Sequence, residues 1–437
     1  MLSKLGVLSI LCLLLSCNDD SSITGSKTSE GTRINFSISE NSSLLSSTRA
    51  GGKQEASDIK SFQVLVFETL DDGSEVFSYN ANIAKRENNQ LEIEAKTSSK
   101  NQKYRFVILA NADKQVISVN TPKAEALNKF TFDCLGKWRN DGTKTIPMWG
   151  ESTSFVVEGE KQVAVQLNLA LAKVDVGLNF KPQSQENQTN EVVGLDNFKL
   201  TSVRVYRTKN LAYVGSSVQH MNGNNKVIKP NIPTVAIYNL DNSTSSNKLT
   251  DADKAPLLYK VDLTNNVKGS DKLVNEIFIP ESIDMTASAT MDEVPCLVIG
   301  GYYGADNIAS QKPVETFYRL DFANYNAAGT AIESYKPILR NNRYVFDIAT
   351  VSNPGHSTEE QALNSIPVNI ALDLKEWTID LLNFKVQGSY FFSVDNREVI
   401  IPTTDLTGNG EKPKNITDLQ KSYVWTKMAY KSMTSPK

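Results

Sequence analysis

Two histidines and four cysteines are the scarce reactive side chains in this chain of 437 residues. His220 stands beside Met221 and the turn Asn222-Gly223-Asn224-Asn225, and His356 stands within Asn353-Pro354-Gly355-His356-Ser357. Neither has a thiol, a carboxylate and a second histidine at ligand spacing, so both read as loop histidines and no metal site is expected. The chain contains no GxSxG, GxxxxGK(S/T), HExxH, CxxC or twelve-residue calcium loop. Carboxylates are plentiful, but a glycosidase pair is defined by separation in space and not by sequence. Gly300-Gly301-Tyr302-Tyr303-Gly304 lacks the spacing and the following helix of a phosphate cradle, and reads as a strand ending in a tight turn. Trp138, Trp149, Trp377 and Trp425 read as core or strand-flanking residues before they read as a sugar platform. With 46 Lys plus Arg against 49 Asp plus Glu, the net charge of −3 offers no basic surface for nucleic acid. No enzyme and no cofactor are expected.

The remaining chemistry is chemistry done to the chain. Lys4 precedes the apolar run Leu5–Leu15, which is short of the roughly 20 residues a membrane span needs and reads as a signal-peptide core. It ends in Leu14-Leu15-Ser16-Cys17, which resembles a bacterial lipobox: cleavage after Ser16, then a diacylglycerol on the Cys17 thiol. Leu15 is bulkier than the residue most often found there, and an ordinary secretory signal with an incidental cysteine is the alternative. At roughly 0.8 kcal/mol per buried CH₂, two or three acyl chains hold a soluble domain on a bilayer. Asn18-Asp19-Asp20 fits either a surface-export signal of Bacteroidetes lipoproteins or a plain acidic tether. Cys12 leaves with the signal, so Cys134 and Cys296 remain as thiols. A disulfide between them stays open in an oxidising compartment, although Cys296 in Pro295-Cys296-Leu297-Val298-Ile299 reads as a small buried hydrophobe.

The elements that follow are strands. Residues 18–32 are rich in Ser, Thr, Asn and Asp and read as a tether. Arg33–Ser39 alternates with Ile34, Phe36 and Ile38 on one face. Phe62–Phe67, Val76–Tyr79, Leu91–Ala95 and Tyr104–Ala112 follow, with turn residues such as Asp71-Asp72-Gly73 between them. Thr121 is expected to cap a helix opening at Pro122. Ile146–Glu151 reads as irregular before a strand at Ser154–Val157. Val163–Phe180 alternates over a length that exceeds one ordinary strand, so this segment is expected to leave one sheet and enter another, with a domain boundary near Ala172. Further strands are expected at Phe198–Tyr206, Val235–Tyr238, Ile277–Ile279, Leu297–Tyr303, Phe317–Phe322, Tyr344–Val351, Ile366–Trp377, Phe384–Val394, Glu398–Ile401 and Tyr423–Trp425, with a short helical stretch at Thr358–Ala362. The fold class expected is all-β: two tandem β-sandwich-like domains of transthyretin-like or Greek-key type, with few short helices.

Four segments carry a family resemblance: Asp58–Phe62 leading into Val64–Phe67; Tyr104–Ala112; Ile146–Glu151; and Ile338–Asp347. Together with the lipobox, the tether and two β-domains, they resemble the fimbrillin-like proteins of Bacteroidales type V pili over roughly residues 1–380. The resemblance implies export as a lipoprotein, removal of an N-terminal segment with its first strand by an arginine-specific protease, and filling of the vacated groove by a strand of the next subunit. Arg49-Ala50, in the polar segment after Arg33–Ser39, is the cleavage candidate. The expected division is 1–16 signal peptide, 17–49 tether and removable strand, 50–172 and 173–383 two β-sandwich domains, and 384–437 a β extension that is an assembly appendage or the start of a further domain. The implied role is a surface pilus subunit in adhesion, anchored in the outer membrane by lipid. Its implied partners are other pilin subunits and a host or bacterial surface ligand. Two alternatives stay open: an uncleaved anchor or tip subunit, and a glycan-binding surface lipoprotein, which exposed Tyr302, Tyr303 and a tryptophan in one plane would favour.

Overall fold

The computed structural model describes residues 32–40, 59–87, 90–134, 138, 145–181, 191–216, 227–234, 257–261, 271–282, 294–304, 314–367, 370–378, 390–393 and 429–432. The described chain is built almost wholly of strands. The first part comprises β1 (Thr32–Glu40), β2 (Phe62–Thr69), β3 (Glu75–Glu87), β4 (Gln90–Ala95), β5 (Lys103–Ala110), α1 (Lys123–Leu127), β6 (Thr131–Asp133), β7 (Met148–Glu151), β8 (Phe155–Val156) and β9 (Lys161–Leu169). Seven of these strands form an unbroken hydrogen-bonded circuit, β2–β3–β4–β1–β9–β7–β5 and back to β2. Two strands turn the corners. β3 pairs with β2 through its first half and with β4 through Asn82–Glu87. β9 pairs with β1 through Lys161–Leu167 and with β7 through Asn168 and Leu169. Because the circuit closes, each of its seven strands has two strand neighbours, and none is an edge strand along its whole length.

The second part comprises β10 (Ala172–Leu178), β11 (Phe198–Tyr206), β12 (Leu211–Tyr213), β13 (Leu258–Lys260), β14 (Lys272–Ile279), β15 (Cys296–Tyr303), β16 (Glu315–Asp321), β17 (Ala323–Tyr325), β18 (Ile332–Tyr335), β19 (Asn342–Val351), α2 (Glu359–Leu363) and β20 (Ile370–Thr378). Two four-stranded sheets, β14-β10-β19-β20 and β13-β11-β15-β16, face each other across one apolar core. A two-stranded ribbon of β21 (Tyr390–Ser393) and β22 (Ala429–Ser432) completes the described strands. The long alternating segment divides as its length demands, between β9 in the first circuit and β10 in the second sandwich, with Ala170-Leu171 as the bend.

Local differences from the sequence reading have local causes. Met148–Glu151 is a strand and not an irregular segment; Pro147 and Gly150 hide its pattern, yet Gly150 is required because a Cβ there would collide with the Gln166 carbonyl of β9. α1 begins at Lys123, with Pro122 as the cap residue, and the Thr121 hydroxyl donates to the Ser118 carbonyl instead of capping the helix. β20 begins at Ile370, so Ile366 lies outside it and is 66% exposed. At α2 the Thr358 side chain accepts from the Gln361 amide, an N-cap in the ordinary sense. The expected strands at Val235–Tyr238, Glu398–Ile401 and Tyr423–Trp425, and most of that at Phe384–Val394, lie outside the described residues.

Candidate functional site

The side chains of β1 explain its place. Ile34 and Phe36 are fully buried and Ile38 is nearly so, all in the core of the first part. The Phe36 ring lies 5.5 Å from Phe106, which stacks on Phe155 at 5.3 Å. The alternate residues face outward: Arg33 meets Glu92 at 3.6 Å and Asn35 donates to Glu160 at 3.0 Å; at the strand's start Thr32 and Thr97 share a hydroxyl contact of 2.7 Å. Such exposed ties contribute about 0–1 kcal/mol each. Burying the three apolar side chains contributes about 1.5–3 kcal/mol each, so the inward face dominates.

Backbone pairing holds β1 from both sides. Thr32–Ser37 pair antiparallel with β4, and Ile34–Glu40 pair parallel with β9. Ile38–Glu40 are paired with β9 alone among the described pairings. β1 is therefore an interior strand that joins to β2 only through residues 41–61. Its removal would open the circuit at one place, leaving facing edges on β4 and β9 above an apolar floor.

The lower end of this seat adjoins the joint between the two parts. The Ala170 amide donates to Pro147 on the β7 side. Successive strand amides face opposite edges, so the Leu169 amide and the Leu171 carbonyl face the β1 side. Both bond Asn341: Leu169 donates to its side-chain oxygen at 3.2 Å, and the Asn341 amide donates to Leu171 at 2.9 Å. Asn341 is left-handed at φ 60° and also donates to the Asn168 side chain at 3.0 Å. β19 thus starts beside the bend that ends β9. Beside this corner the buried Arg340 donates to the Val214 carbonyl at 2.7 Å and pairs with Glu281 at 2.8 Å. β12 completes the joint by pairing with β6 of the first part.

The far face of the first circuit carries a compact ion cluster. Lys123 lies 2.8 Å from Glu75 and 2.6 Å from Glu151, and Arg105 lies 2.5 Å from Glu75. Burial pushes the Glu75 carboxyl up, but Lys123 and Arg105 outweigh it and hold it below the usual carboxylate range. Cys134 and Cys296 are separate buried thiols, and burial pushes Cys296 up to about 12. His356 sits in a backbone bridge to Phe317. Among the described residues no group of three His, Cys, Asp or Glu could hold a metal, and no helix is long and apolar enough to cross a membrane.

The site residues read from the sequence, Cys17, Arg49 and Ala50, lie outside the described residues, as does His220. Among the described residues the aromatic plane is not formed. Tyr302 and Tyr303 are successive residues of β15 and face opposite sides, and Tyr303 donates to the Ser352 carbonyl at 2.7 Å. Trp138 and Trp149 are buried. Sequence reading missed that β1 lies parallel to β9 and closes a circuit, since alternation specifies a buried face and not a neighbour.

No protein-family model matches the sequence, and no curated protein does. Among solved structures the chain is similar to a fimbrilin from Porphyromonas gingivalis, at 14% identity and TM-score 0.46 over 79% of this chain and 96% of that one. It is similar to a candidate cell adhesion protein from Parabacteroides distasonis, at 14% identity and TM-score 0.46 over 80% and 99% of the two chains. A third is the tip fimbrial protein Mfa3 from Porphyromonas gingivalis with its C-terminus truncated, at 12% identity and TM-score 0.40 over 79% and 99%. Its structural neighbours are thus fimbrilins and candidate cell adhesion proteins of Bacteroidales.

Proposed function

We propose that this protein is a structural subunit of a cell-surface pilus that assembles by strand exchange at the seat of β1 and serves adhesion. The observation that carries the reading is the position of β1: an interior strand, buried on one face, closing a circuit of paired strands, and joined onward only through the segment that contains Arg49. Removing such a strand exposes apolar floor and unpaired backbone together, and an extended segment of another subunit satisfies both. Arg49 and Arg33 are the two arginines that precede β2. Arg33 lies inside β1 and a cut there would leave Ile34–Glu40 in place, whereas a cut between Arg49 and Ala50 frees the whole strand. In this reading residues 1–16 are a signal peptide, Cys17 carries the lipid that brings the chain to the outer membrane, and residues 50–172 and 173–383 are two domains meeting at Ala172.

The test is to treat the exported, purified protein with an arginine-specific protease and follow fragment size and polymer growth. The expected result is one early cut after Arg49, then slow growth into detergent-resistant polymers. A chain that is not cut, stays monomeric and binds polysaccharide would overturn the reading in favour of a glycan-binding lipoprotein. A chain that is not cut but joins pili at one end would be an anchor or tip subunit.

A further inference from the structure

Resting on the reading that subunits join at the seat of β1, we propose that Asn341, a residue of the second part, is the stop that ends this seat and so limits the strand it accepts. The first support is what its bonds replace. β1 pairs with β9 from Ile34 opposite Lys161 to Glu40 opposite Leu167. In a parallel ladder an amide donates to the carbonyl that stands opposite the residue before it. Continued for one step, this ladder would set residue 41 opposite Asn168 and offer its carbonyl to the Leu169 amide. That amide donates to the Asn341 side-chain oxygen at 3.2 Å, so Oδ1 stands in for a main-chain carbonyl of the strand. Two residues on, the Leu171 carbonyl is taken as well, by the Asn341 amide at 2.9 Å. β9 therefore offers its edge as far as Leu167, whichever way the paired strand runs.

The second support is that the stop is fixed in advance. Asn341 is buried and left-handed at φ 60°, a conformation asparagine adopts more readily than most residues. Its side-chain amide donates to Asn168 Oδ1 at 3.0 Å, and Gln166 donates to the same oxygen at 3.4 Å. Both polar ends of the Asn341 side chain are thus satisfied by β9. On one flank Arg340 is anchored to Glu281 and the Val214 carbonyl; on the other, Arg343 pairs with Asp175. The side chain can swing aside for a longer strand only by breaking buried bonds.

With the lower end fixed, the apolar floor sets the rest. Phe36 lies four residues before Glu40 and places its ring 5.5 Å from Phe106. A replacement strand that runs as β1 does must carry its largest apolar residue four places before its last paired one. The partner that fits is a strand of a second subunit with this spacing, paired along β9 from Lys161 to Leu167.

Peptide length tests this. The full chain, carrying a specific protease site at Arg49-Ala50, is folded, cut and freed of β1 in mild denaturant. Binding of labelled peptides of residues 32–40 and 32–42 is then measured by fluorescence anisotropy. In wild type the two should bind equally, because the added residues find no free edge. Asn341→Gly keeps the left-handed backbone and frees the Leu169 amide. In that variant the longer peptide should bind about two- to tenfold tighter, the worth of one added ladder bond. A role of Asn341 in stability alone would weaken both peptides by the same factor. Uncut Asn341→Gly should still unfold in one cooperative transition, which shows that the variant folds. An advantage of the longer peptide in wild type would overturn the proposal. So would equal affinities in the variant, or failure of either peptide to bind. If the peptides behave as expected but the cut protein forms no polymers, the stop stands and the strand-exchange reading fails.

Discussion

β1 and β10 hold the same place in two sheets. β1 lies between antiparallel β4 and parallel β9, and β10 lies between antiparallel β14 and parallel β19. In the facing sheets the correspondence continues: β2 pairs with β3 and β5, and β11 pairs with β13 and β15. The two parts share this pairing pattern, yet they hold this strand differently. β10 is continuous with β9 through Ala170-Leu171, so no single cut frees it from the sandwich. All seven of its residues are buried, and its second face carries charge: Asp175 pairs with Arg343 at 2.6 Å and with Lys173 at 3.8 Å, and accepts from the Asn275 amide at 2.8 Å. β1 has one apolar face, one wetted face with weak ties, and one covalent link onward. The same slot is held from within the chain in the second part and, in the proposed reading, replaceable in the first.

Substitutions can break this contrast. Asp175→Ala leaves Arg343 and Lys173 facing each other in the core and should cost about 3–5 kcal/mol. Its denaturation midpoint should fall equally before and after an arginine-specific cut, because β10 stays attached. Phe36→Ala should cost about 3–5 kcal/mol in the uncut chain. After the cut it should show up as faster release of the β1 peptide, measured by mass spectrometry, with the second part unaffected. If both variants behave alike after cutting, the two slots are equivalent and the contrast fails. Asn341→Ala removes side-chain bonds to Leu169 and Asn168 and should cost about 1–3 kcal/mol, seen as faster hydrogen exchange at residues 168–171.

Smaller effects sharpen the contrast. Glu75 has a lowered folded-state pKa, so its contribution is complete above the unfolded carboxylate value and is lost as pH falls through the folded one. Acid should therefore weaken the first part, and Glu75→Gln should flatten the acid limb of a pH-stability curve below about pH 4.3. Arg33→Ala, on the wetted face of β1, should change stability by less than about 1 kcal/mol. Native Cys296, its thiol pushed up to about 12, should resist alkylation at pH 8 and react only on unfolding.

Much of the architecture was legible because its strands are amphipathic. Ile34, Phe36 and Ile38 announced a half-buried strand, and the length of Val163–Phe180 announced a change of sheet. β7 was not legible, since Pro147 and Gly150 break its alternation while serving its tight approach to β9. Nor was the ion cluster of Glu75, Arg105, Lys123 and Glu151, whose members come from separate elements and meet only after folding. The seat of β1 was half legible: period two shows which face is buried, while the parallel partner comes from tertiary pairing. Arg49 and Cys17 were read from motif and context, outside the described residues.

The central claim is that the slot of β1 is the place where subunits join. The most direct measurement is polymer growth of the cut protein in the presence of a synthetic peptide of residues 32–40. The account predicts that excess peptide occupies the slot and halts growth, while the same peptide with Phe36→Asp does not. Growth that continues unchanged in saturating wild-type peptide would contradict it.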